Sequence, residues 1–381
     1  MRLEISKNAE FIIDRLNENG FEAYVVGGCV RDIIMGRKID DYDITTSSTP
    51  NETKESFLDF SVKETGIKHG TVTLFIDHKP YEITTFRVES GYTDYRHPDG
   101  VTFVRDIEKD LARRDFTMNA IAYSHSRNIV DPYNGIEDIK NKTIRAVGDP
   151  YTRFSEDALR ILRALRFSST LGFEIEEETA NAINELAHTV KAVSCERIFI
   201  EIKKLILGDN CLSVLEKFNR ALSQILPISE SYKLIKSCPK NLAMRICLLC
   251  GNETKSALNF LRADNNTKRI CSLLSASKPI PETEREMKHY ISSLGREAAE
   301  VVIEFRRAVY DEDKAGKSLM ILESNFPLCV QALDVNGNDL INQGIAPKDV
   351  GITLKSLLSA VIDEKTENVK QKLLDYLKKQ R

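Results

Sequence analysis

The chain has 381 residues, of which 42% are hydrophobic and 29% charged, and its formal net charge is −3. These values are typical of a folded protein of two or three domains and argue against a disordered chain. No apolar run approaches the ~20 residues that span a bilayer, and the first residues lack a signal-peptide pattern, so a cytoplasmic protein is predicted. The charge does not indicate nucleic-acid binding, although it is compatible with a local basic face.

The first part of the chain mixes strand and helix patterns. An amphipathic helix is predicted over about residues 5–19, followed by a strand at EAYVV that runs into two glycines and a second helix. The run TPNE predicts a helix start with a capping threonine and proline at the first helical position. Further strands are predicted at YDITT, SVKET, GTVTLFI and KPYEITTFRV, the last two as a hairpin-like pair.

From about Ser155 onward, apolar residues recur at spacings of three and four residues, which predicts amphipathic helices. The clearest segments are SEDALRILRALRFSSTLGF, EETANAINELAHTV and CERIFIEIKKLILG. Cys247 and Cys250 have metal-like spacing, but their apolar helical surroundings favour core packing over a zinc or redox site. The fold class is therefore α+β, with a mixed-sheet head followed by an all-helical remainder.

The stretch YVVGGCVRDIIMGRKIDDYDITTS, residues 24–47, has the features of a nucleotide and metal site. Gly27 and Gly28 lie at a predicted strand-to-helix turn, where backbone N–H groups can approach a triphosphate. Arg31 follows one turn into the helix and can contact the same anion. Asp41 and Asp43 are two apart on a predicted strand, so their carboxylates point to the same side and suit Mg²⁺.

Each of these features also has an ordinary structural interpretation. A glycine pair is usually a turn, and Asp-x-Asp is usually a solvated loop or a helix cap. Their order along the chain favours the site. Glu82, on a following strand, is a candidate third carboxylate for a two-metal centre, and an outward-facing strand residue is the equally weighted alternative.

Several motifs together resemble those of the class II tRNA nucleotidyltransferases of the polymerase-β superfamily, the CCA-adding enzymes, in their compact bacterial form. The resemblance is strong over about the first 175 residues and weak beyond them, where NGNDLINQGIAPKDVG matches best. The matching motifs, in the family's order and spacing, are GGCVRD, DDYDITTS, KHGTV, YEITTFR, YRHPDGVTFVRDIEKDLARRDFTMNAIAY, DPYNGIEDI and EDALRILRALRF.

The resemblance implies four parts: a nucleotidyltransferase head at 1–150, a helical neck that selects the base at 151–205, a helical body at 206–310 and a tRNA-binding tail at 311–381. It implies that Asp41 and Asp43 are the metal-binding catalytic pair. The nucleotide-binding residues that follow from the glycine turn and the resemblance are Gly27, Gly28, Arg31, Arg114, Asp115, Asn119, Asp157, Arg160, Arg163 and Arg166.

The chemistry of the neck motif supports base selection. Asp157 is expected in the first turn of a helix capped by Ser155, with Arg160 on the same face. A carboxylate accepts from an exocyclic amine and an arginine donates to a ring acceptor, so the pair suits cytosine and adenine and rejects guanine and uracil. Arg163 and Arg166 follow Arg160 on the same predicted helix at three-residue spacing. Both are expected to contact phosphates of the nucleotide or the primer.

The reaction that the resemblance implies is template-independent addition of C, C and A to the 3′ end of tRNA from CTP and ATP. Two Mg²⁺ ions held by the aspartates would assist transfer, and pyrophosphate would leave. No membrane or protein partner is implied. The chain has no His-Asp dipeptide, so the phosphohydrolase domain of some relatives is not expected.

Other functions stay open at this point. CC-only enzymes have a shortened loop ahead of the RRDFT motif, whereas the corresponding stretch here, RVESGYTDYRHPDGVTFVRD, has full length and favours complete CCA addition. No comparable sequence feature distinguishes enzymes that add only the terminal A. A poly(A) polymerase of the same family is another alternative. An inactive tRNA-binding protein and a small-molecule nucleotidyltransferase are less favoured, because both aspartates and the neck motif are present.

Overall fold

The computed structural model describes residues 2–39, 41–92 and 98–380. The chain divides into two compact units, residues 1–226 and 227–381. The division into head, neck, body and tail at 1–150, 151–205, 206–310 and 311–381 stays a prediction.

The first unit is built on a mixed seven-stranded sheet with the order β3-β4-β5-β2-β1-β8-β9. Strand β2 runs parallel to β5, and the other neighbours are antiparallel. Two small two-stranded sheets, β6 with β7 and β10 with β11, complete the strands. The strands are β1 Ala23–Val26, β2 Asp43–Thr46, β3 Ser61–Gly66, β4 Thr71–Ile76, β5 Lys79–Thr85, β6 Arg87–Tyr92, β7 Pro98–Phe103, β8 Ala122–Ser124, β9 Asn128–Val130, β10 Thr143–Ile144 and β11 Glu174–Ile175.

Helices pack around this sheet and then continue without strands through the described part of the second unit. Those of the first unit are α1 Lys7–Glu18, α2 Gly28–Ile34, α3 Pro50–Ser56, α4 Ile107–Ala112, α5 Gly135–Lys140, α6 Pro150–Glu156, α7 Leu159–Leu171, α8 Glu177–Leu186, α9 Cys195–Leu207, α10 Cys211–Lys217 and α11 Asn219–Ser223. Those of the second unit are α12 Leu242–Cys250, α13 Thr254–Phe260, α14 Asn265–Ser275, α15 Glu284–Leu294, α16 Arg296–Tyr310, α17 Ala315–Glu323, α18 Gly337–Asn342, α19 Val350–Ile362 and α20 Lys370–Lys379.

The predicted α+β class, with a mixed sheet followed by helices, is confirmed. The hairpin-like pair is the antiparallel pair β4 and β5, joined at Asp77 and His78. Both residues have positive φ, 50° and 62°, as the type I′ turns favoured in hairpins require. The predicted helix start is also confirmed, because Thr49 and Glu52 form a capping box at α3.

The predicted cap at Ser155 is wrong. Helix α6 begins earlier, at Pro150, because the Asp149 side chain accepts the Thr152 N–H at 2.8 Å and proline occupies the first helical position. Asp157 then interrupts the helix with extended backbone angles (φ −137°, ψ 102°), and α7 starts at Leu159. Ser155 therefore lies inside α6, and Asp157 lies in the break between two helices.

The second unit contains two apolar clusters, and its α12 is buried along most of its length. Cys247 and Cys250 lie on α12 with 7% and 2% exposure, as core packing predicts. A search of the described residues finds no helix that is long and apolar enough to cross a membrane.

Gly135, the first residue of α5, offers a test of how closely that helix packs on the 3-10 turn at Thr117–Asn119. A Cβ at Gly135 would lie 2.1 Å from the Thr117 carbonyl oxygen, so backbone must move. We expect Gly135→Ala to lower the free energy of unfolding by about 3 kcal/mol. Gly316→Ala on α17 is the control, since its Cβ would meet nothing within 4 Å and should stay within about 1 kcal/mol of wild type. Denaturant unfolding measures both, and equal stability of the two variants would contradict the predicted clash.

Candidate active site

The glycine turn connects β1 to α2, as predicted. Gly27 has φ 77°, which favours glycine, and its N–H donates to the Ile121 carbonyl at 3.1 Å. A Cβ at this position would lie 2.9 Å from Nη1 of Arg114. The lack of a side chain therefore lets the Arg114 guanidinium lie directly over the backbone of the turn, beside the start of α2 at Gly28.

The predicted metal carboxylates lie at the start of β2. Asp43 is its first residue and Asp41 comes just before the strand, so the prediction that both lie on one strand is only half right. Between them, the Tyr42 hydroxyl accepts the Ser6 N–H at 3.1 Å. Asp40, predicted to face away from the pair, lies outside the described residues. Glu82 on β5 is in register with Asp43, so their side chains share a face of the sheet.

The electrostatics of Asp43 suit a cation. Its side chain is exposed to solvent, yet enough protein surrounds it for desolvation to raise its pKa. The Arg114 charge lowers that pKa and the Asp41 charge raises it. A divalent cation beside both aspartates would relieve this desolvation and repulsion. Within the described residues, however, no three His, Cys, Asp or Glu side chains are grouped closely enough to hold a metal.

A chain of hydrogen bonds, here called the Asp115 network, runs from α2 to α7. Arg31 Nη1 donates to Asn119 Oδ1 at 2.7 Å, and Asn119 Nδ2 donates to Asp115 Oδ1 at 3.1 Å. Arg163 Nε on α7 donates to Asp115 Oδ2 at 2.7 Å. The structure thus brings together four of the predicted site residues, Arg31, Asp115, Asn119 and Arg163.

Asp115 is a buried anion, with 8% exposure. Burial raises the pKa of its carboxyl, but the Arg163 charge, the hydrogen bonds from Asn119 and Arg163, and the Arg160 charge outweigh burial and lower the pKa to about 2. The same pairing raises the pKa of Arg163. Both groups therefore stay charged at neutral pH, and the buried carboxylate depends mainly on the half-buried Arg163 for compensation.

Asp110 holds the two arginines that precede Asp115. Its fully buried carboxylate accepts from Arg113 Nε at 3.0 Å and from Arg114 Nη2 at 3.2 Å. Burial raises its pKa, but the charges of Arg114 and Arg113 outweigh that effect, so the pKa is lowered. The buried Nε of Arg114 has no hydrogen-bond partner among the residues that the structure describes. Arg114 is thus fixed at one end and keeps a donor for another group.

Asp157 and Arg160 lie close together at the start of α7 but do not bond to each other through their side chains. Asp157 accepts the Leu159 N–H at 3.1 Å and Arg197 Nη2 at 3.0 Å. Arg160, with 7% exposure, donates to the Arg113 carbonyl at 2.9 Å and to Glu156 at 2.9 Å. The predicted base-reading pair is therefore anchored to α6, to α9 and to the residues before Asp115.

Arg166 is paired with a carboxylate, as Arg163 is. Its Nε donates to Glu201 on α9 at 2.8 Å, and its guanidinium lies 3.7 Å from the centre of the Phe167 ring. Arg31 and Arg163 approach the same ring at 5.0 and 5.5 Å. Three predicted site arginines thus surround Phe167, an arrangement whose cation–π contacts favour a fixed position for each.

Sequence reasoning missed the acidic partners of these arginines. Asp110 precedes Arg113 and Arg114 by three and four residues in the same helical turn, so helical spacing was a usable signal. Glu201 is 35 residues from Arg166, and Arg197 is 40 residues from Asp157, so no local pattern links them. Phe167 is buried at 5% exposure, and its place at the centre of an arginine cluster depends on contacts from separate helices.

Comparison with known proteins places these features in a family. A family model for the Poly A polymerase head domain matches residues 23–145, and one for a probable RNA and SrmB- binding site of polymerase A matches residues 172–227. The CCA-adding enzyme of Lactobacillus delbrueckii subsp. bulgaricus is 36% identical over 393 residues, covering 98% of each chain. The chain belongs to the CCA-adding enzyme family.

Two further comparisons agree with this assignment. The CCA-adding enzyme of Leuconostoc mesenteroides is 51% identical over 209 residues, although this alignment covers only about half of each protein, 55% of this chain and 52% of that one. The crystal structure of the Bacillus stearothermophilus CCA-adding enzyme in complex with CTP matches with a TM-score of 0.82 and 32% identity, over 98% of this chain and 96% of that one. The predicted family is confirmed, and CCA-adding enzymes are metal-dependent nucleotidyltransferases.

The Asp115 network predicts a pH-dependent stability difference. Since the folded pKa of Asp115 lies below its ordinary 3.8, its stabilisation is present above pH 3.8 and is lost as pH falls toward 2. We expect Asp115→Asn to lower the free energy of unfolding by about 2 kcal/mol at pH 7, and by less as pH falls through that window. Urea unfolding of both proteins between pH 7 and pH 2.5 checks this. Glu177→Gln, at an exposed neck position, is the control, and a pH-independent deficit for Asp115→Asn would contradict the assignment.

Proposed function

We propose that the chain adds C, C and A to the 3′ end of tRNA from CTP and ATP, releasing pyrophosphate. The observation that carries the proposal is the Asp115 network, which joins the glycine turn of the head to the arginine face of α7. A nucleotide held against such a frame has its phosphates near α2 and its base near the start of α7. The full-length likeness to CCA-adding enzymes favours this activity over the partial enzymes and poly(A) polymerases.

We further propose Mg²⁺ as the metal. The donors at the start of β2 are carboxylate oxygens, which Mg²⁺ prefers, and a cation would offset the desolvation of Asp43 and its repulsion by Asp41. Asp41 and Asp43 would hold the metal, and Glu82 is the nearest candidate on the neighbouring strand. When bound, Mg²⁺ would stabilise charge on the attacking and leaving oxygens. Only two or three carboxylates are proposed as protein ligands, so substrate phosphates and water would complete the coordination.

The chain's own residues position the reactants. The backbone of Gly27 and Gly28, with the Arg114 guanidinium beside it, would face the incoming triphosphate, and Arg31 would add charge from one turn along α2. In the reaction the tRNA 3′ oxygen forms a bond to the α-phosphorus and loses its proton. The bond from that phosphorus to the bridging oxygen breaks, and its electron pair leaves with pyrophosphate. Asp115 and Asn119 are proposed partners of the ribose.

Base selection is assigned to Asp157 and Arg160. A carboxylate has about four acceptor sites and a guanidinium has five N–H donors. The described bonds engage two acceptor sites of Asp157 and three donors of Arg160. Each side chain therefore has capacity left to contact a base while it stays anchored. An acceptor beside a donor matches the amine and ring nitrogen that cytosine and adenine share.

A primer-extension assay tests the proposed activity. Three tRNA transcripts, one lacking CCA, one ending in C and one ending in CC, are incubated with Mg²⁺ and with CTP, ATP or all four nucleotides. We expect each transcript to be completed to CCA and no further. Extension of the CC-ended transcript alone would indicate A-only addition. Failure of every transcript, with protein that still binds tRNA, would favour a binding protein without catalytic activity.

Removal of the metal carboxylates should abolish this extension. We expect Asp41→Ala and Asp43→Ala each to lower the rate of addition on the order of a thousandfold, because several kcal/mol of charge stabilisation is lost. Glu82→Ala distinguishes a metal ligand from an outward-facing strand residue by whether the Mg²⁺ concentration for half-maximal rate rises. A carboxylate variant that keeps the wild-type rate would contradict the role assigned to it.

Asp157→Asn should relax base selection. The amide presents a donor as well as an acceptor, so it can pair with the carbonyl of uracil. We expect the ratio of CTP to UTP incorporation to fall roughly tenfold or more, since one base contact discriminates by ~1–3 kcal/mol. Single-nucleotide incorporation on the tRNA lacking CCA measures the ratio, with Glu177→Gln as control. An unchanged ratio would remove Asp157 from base recognition.

A further inference from the structure

A cavity of about 760 Å³ lies within the second unit, among helices α12, α13, α14 and α16. Its volume is in the range of sites that bind small organic molecules, ~300–1,000 Å³. Gly251, in the turn between α12 and α13, lines it and has φ 53°, and a Cβ there would lie 2.7 Å from Ser229 Oγ. The tight turn that glycine permits therefore helps to shape this space, which we call the α12–α16 cavity.

The floor of the cavity is aliphatic and its mouth is partly apolar. Leu248, Leu258 and Leu274, one from each of α12, α13 and α14, line it and are at most 3% exposed. Leu234 and Tyr310 also line it, yet they are 40% and 57% exposed. Exposed apolar side chains grouped at a cavity are typical of a binding site. The cavity therefore suits a ligand with an apolar part.

The charged lining residues are both cations. Lys255 on α13 is exposed and Lys268 on α14 is half-buried, and no aspartate, glutamate or arginine is among the lining residues that the structure describes. Neither lysine forms an ion pair with an acid in the described ranges. The exposed hydroxyl of Ser272, between them and the solvent-facing side of α14, can donate a hydrogen bond. An anionic group beside an apolar body is therefore favoured.

The shape of the lining indicates which anion fits. The two aromatic rings of the lining, Phe305 and Tyr310, meet edge to face, with centroids 6.4 Å apart at 78°, so they do not form a planar slot for a nucleotide base. Guanidinium groups, which bind phosphates through two parallel hydrogen bonds, are absent from the described lining. Branched aliphatic side chains suit an alkyl chain, and a lysine ammonium suits a carboxylate as a point charge.

We propose that the α12–α16 cavity binds a small amphiphilic carboxylate of the medium-chain fatty acid class. Its alkyl chain lies on the leucine floor, and its carboxylate lies at the rim with Lys255 and Lys268. The inference does not depend on the proposed nucleotidyl transfer, because the residues assigned to metal and nucleotide all lie in the first unit.

Calorimetric titration of the full chain with decanoate tests the site. We expect one molecule to bind, and the dissociation constant to fall roughly fourfold for each methylene added from hexanoate to decanoate, as for a buried alkyl chain. Lys255→Gln and Lys268→Gln should each raise the dissociation constant for decanoate roughly threefold, and the double variant roughly tenfold. Ser272→Trp, which places a bulky ring at an exposed lining position, should weaken binding at least tenfold.

Two controls separate the site from general charge and general hydrophobicity. Lys278→Gln removes the same charge at an exposed position just after α14 that does not line the cavity, so it should bind decanoate as wild type does. Decanol has the same chain without the carboxylate and should bind wild type at least threefold more weakly than decanoate does.

Three results would overturn the inference. Decanoate bound at several equivalent sites, unaffected by the lysine and Ser272 variants, would show surfactant-like association with the surface. Equal binding of decanol and decanoate would remove the role of the two lysines. Binding of AMP that the cavity variants weaken, without binding of decanoate, would make the α12–α16 cavity a nucleotide site instead.

Discussion

The candidate active site depends on one ion pair, between the buried Asp115 and the half-buried Arg163. A buried carboxylate without a partner is costly, and removal of either member leaves the other uncompensated. Asp115 lies in the head segment just after Arg113 and Arg114, whereas Arg163 lies on α7. The ion pair between Asp115 and Arg163 therefore forms only when α7 packs against that segment. Asn119 and Arg31 extend the same chain of bonds to the glycine turn. One set of hydrogen bonds therefore links the backbone proposed to bind phosphate to the helix proposed to select the base.

The surrounding arginines follow a common rule. Arg113, Arg160 and Arg166 each donate to a carboxylate that lies behind the candidate site, namely Asp110, Glu156 and Glu201. These acids fix the guanidinium groups in position while leaving N–H donors for a ligand. A site built this way is ordered before the nucleotide arrives, so less conformational entropy is lost on binding. Phe167 adds to this order, because three arginines pack against its ring.

Local patterns were sufficient to predict the elements that carry the site. The strand, glycine turn and helix at residues 23–34, the hairpin β4–β5 and the capping box of α3 follow from neighbouring residues. The long-range pairs Arg166–Glu201 and Asp157–Arg197 do not, because they arise only when separate helices pack. The break at Asp157 was also missed, since the apolar period continues across it and only the strong start at Asp149 and Pro150 shows that a helix has already begun. The stretch 87–106, used to favour full CCA addition, includes residues 93–97, which lie outside the described residues.

A double-mutant cycle on Asp115 and Arg163 tests the central claim most directly. The kcat/KM for CTP addition is measured for wild type, Asp115→Asn, Arg163→Gln and the double variant. If the ion pair links the head to α7, the two substitutions are strongly non-additive, with a coupling energy of ~1–3 kcal/mol, and the double variant is little worse than either single one. Additive losses would show that the two residues act independently, and would contradict the view that this pair organises the site.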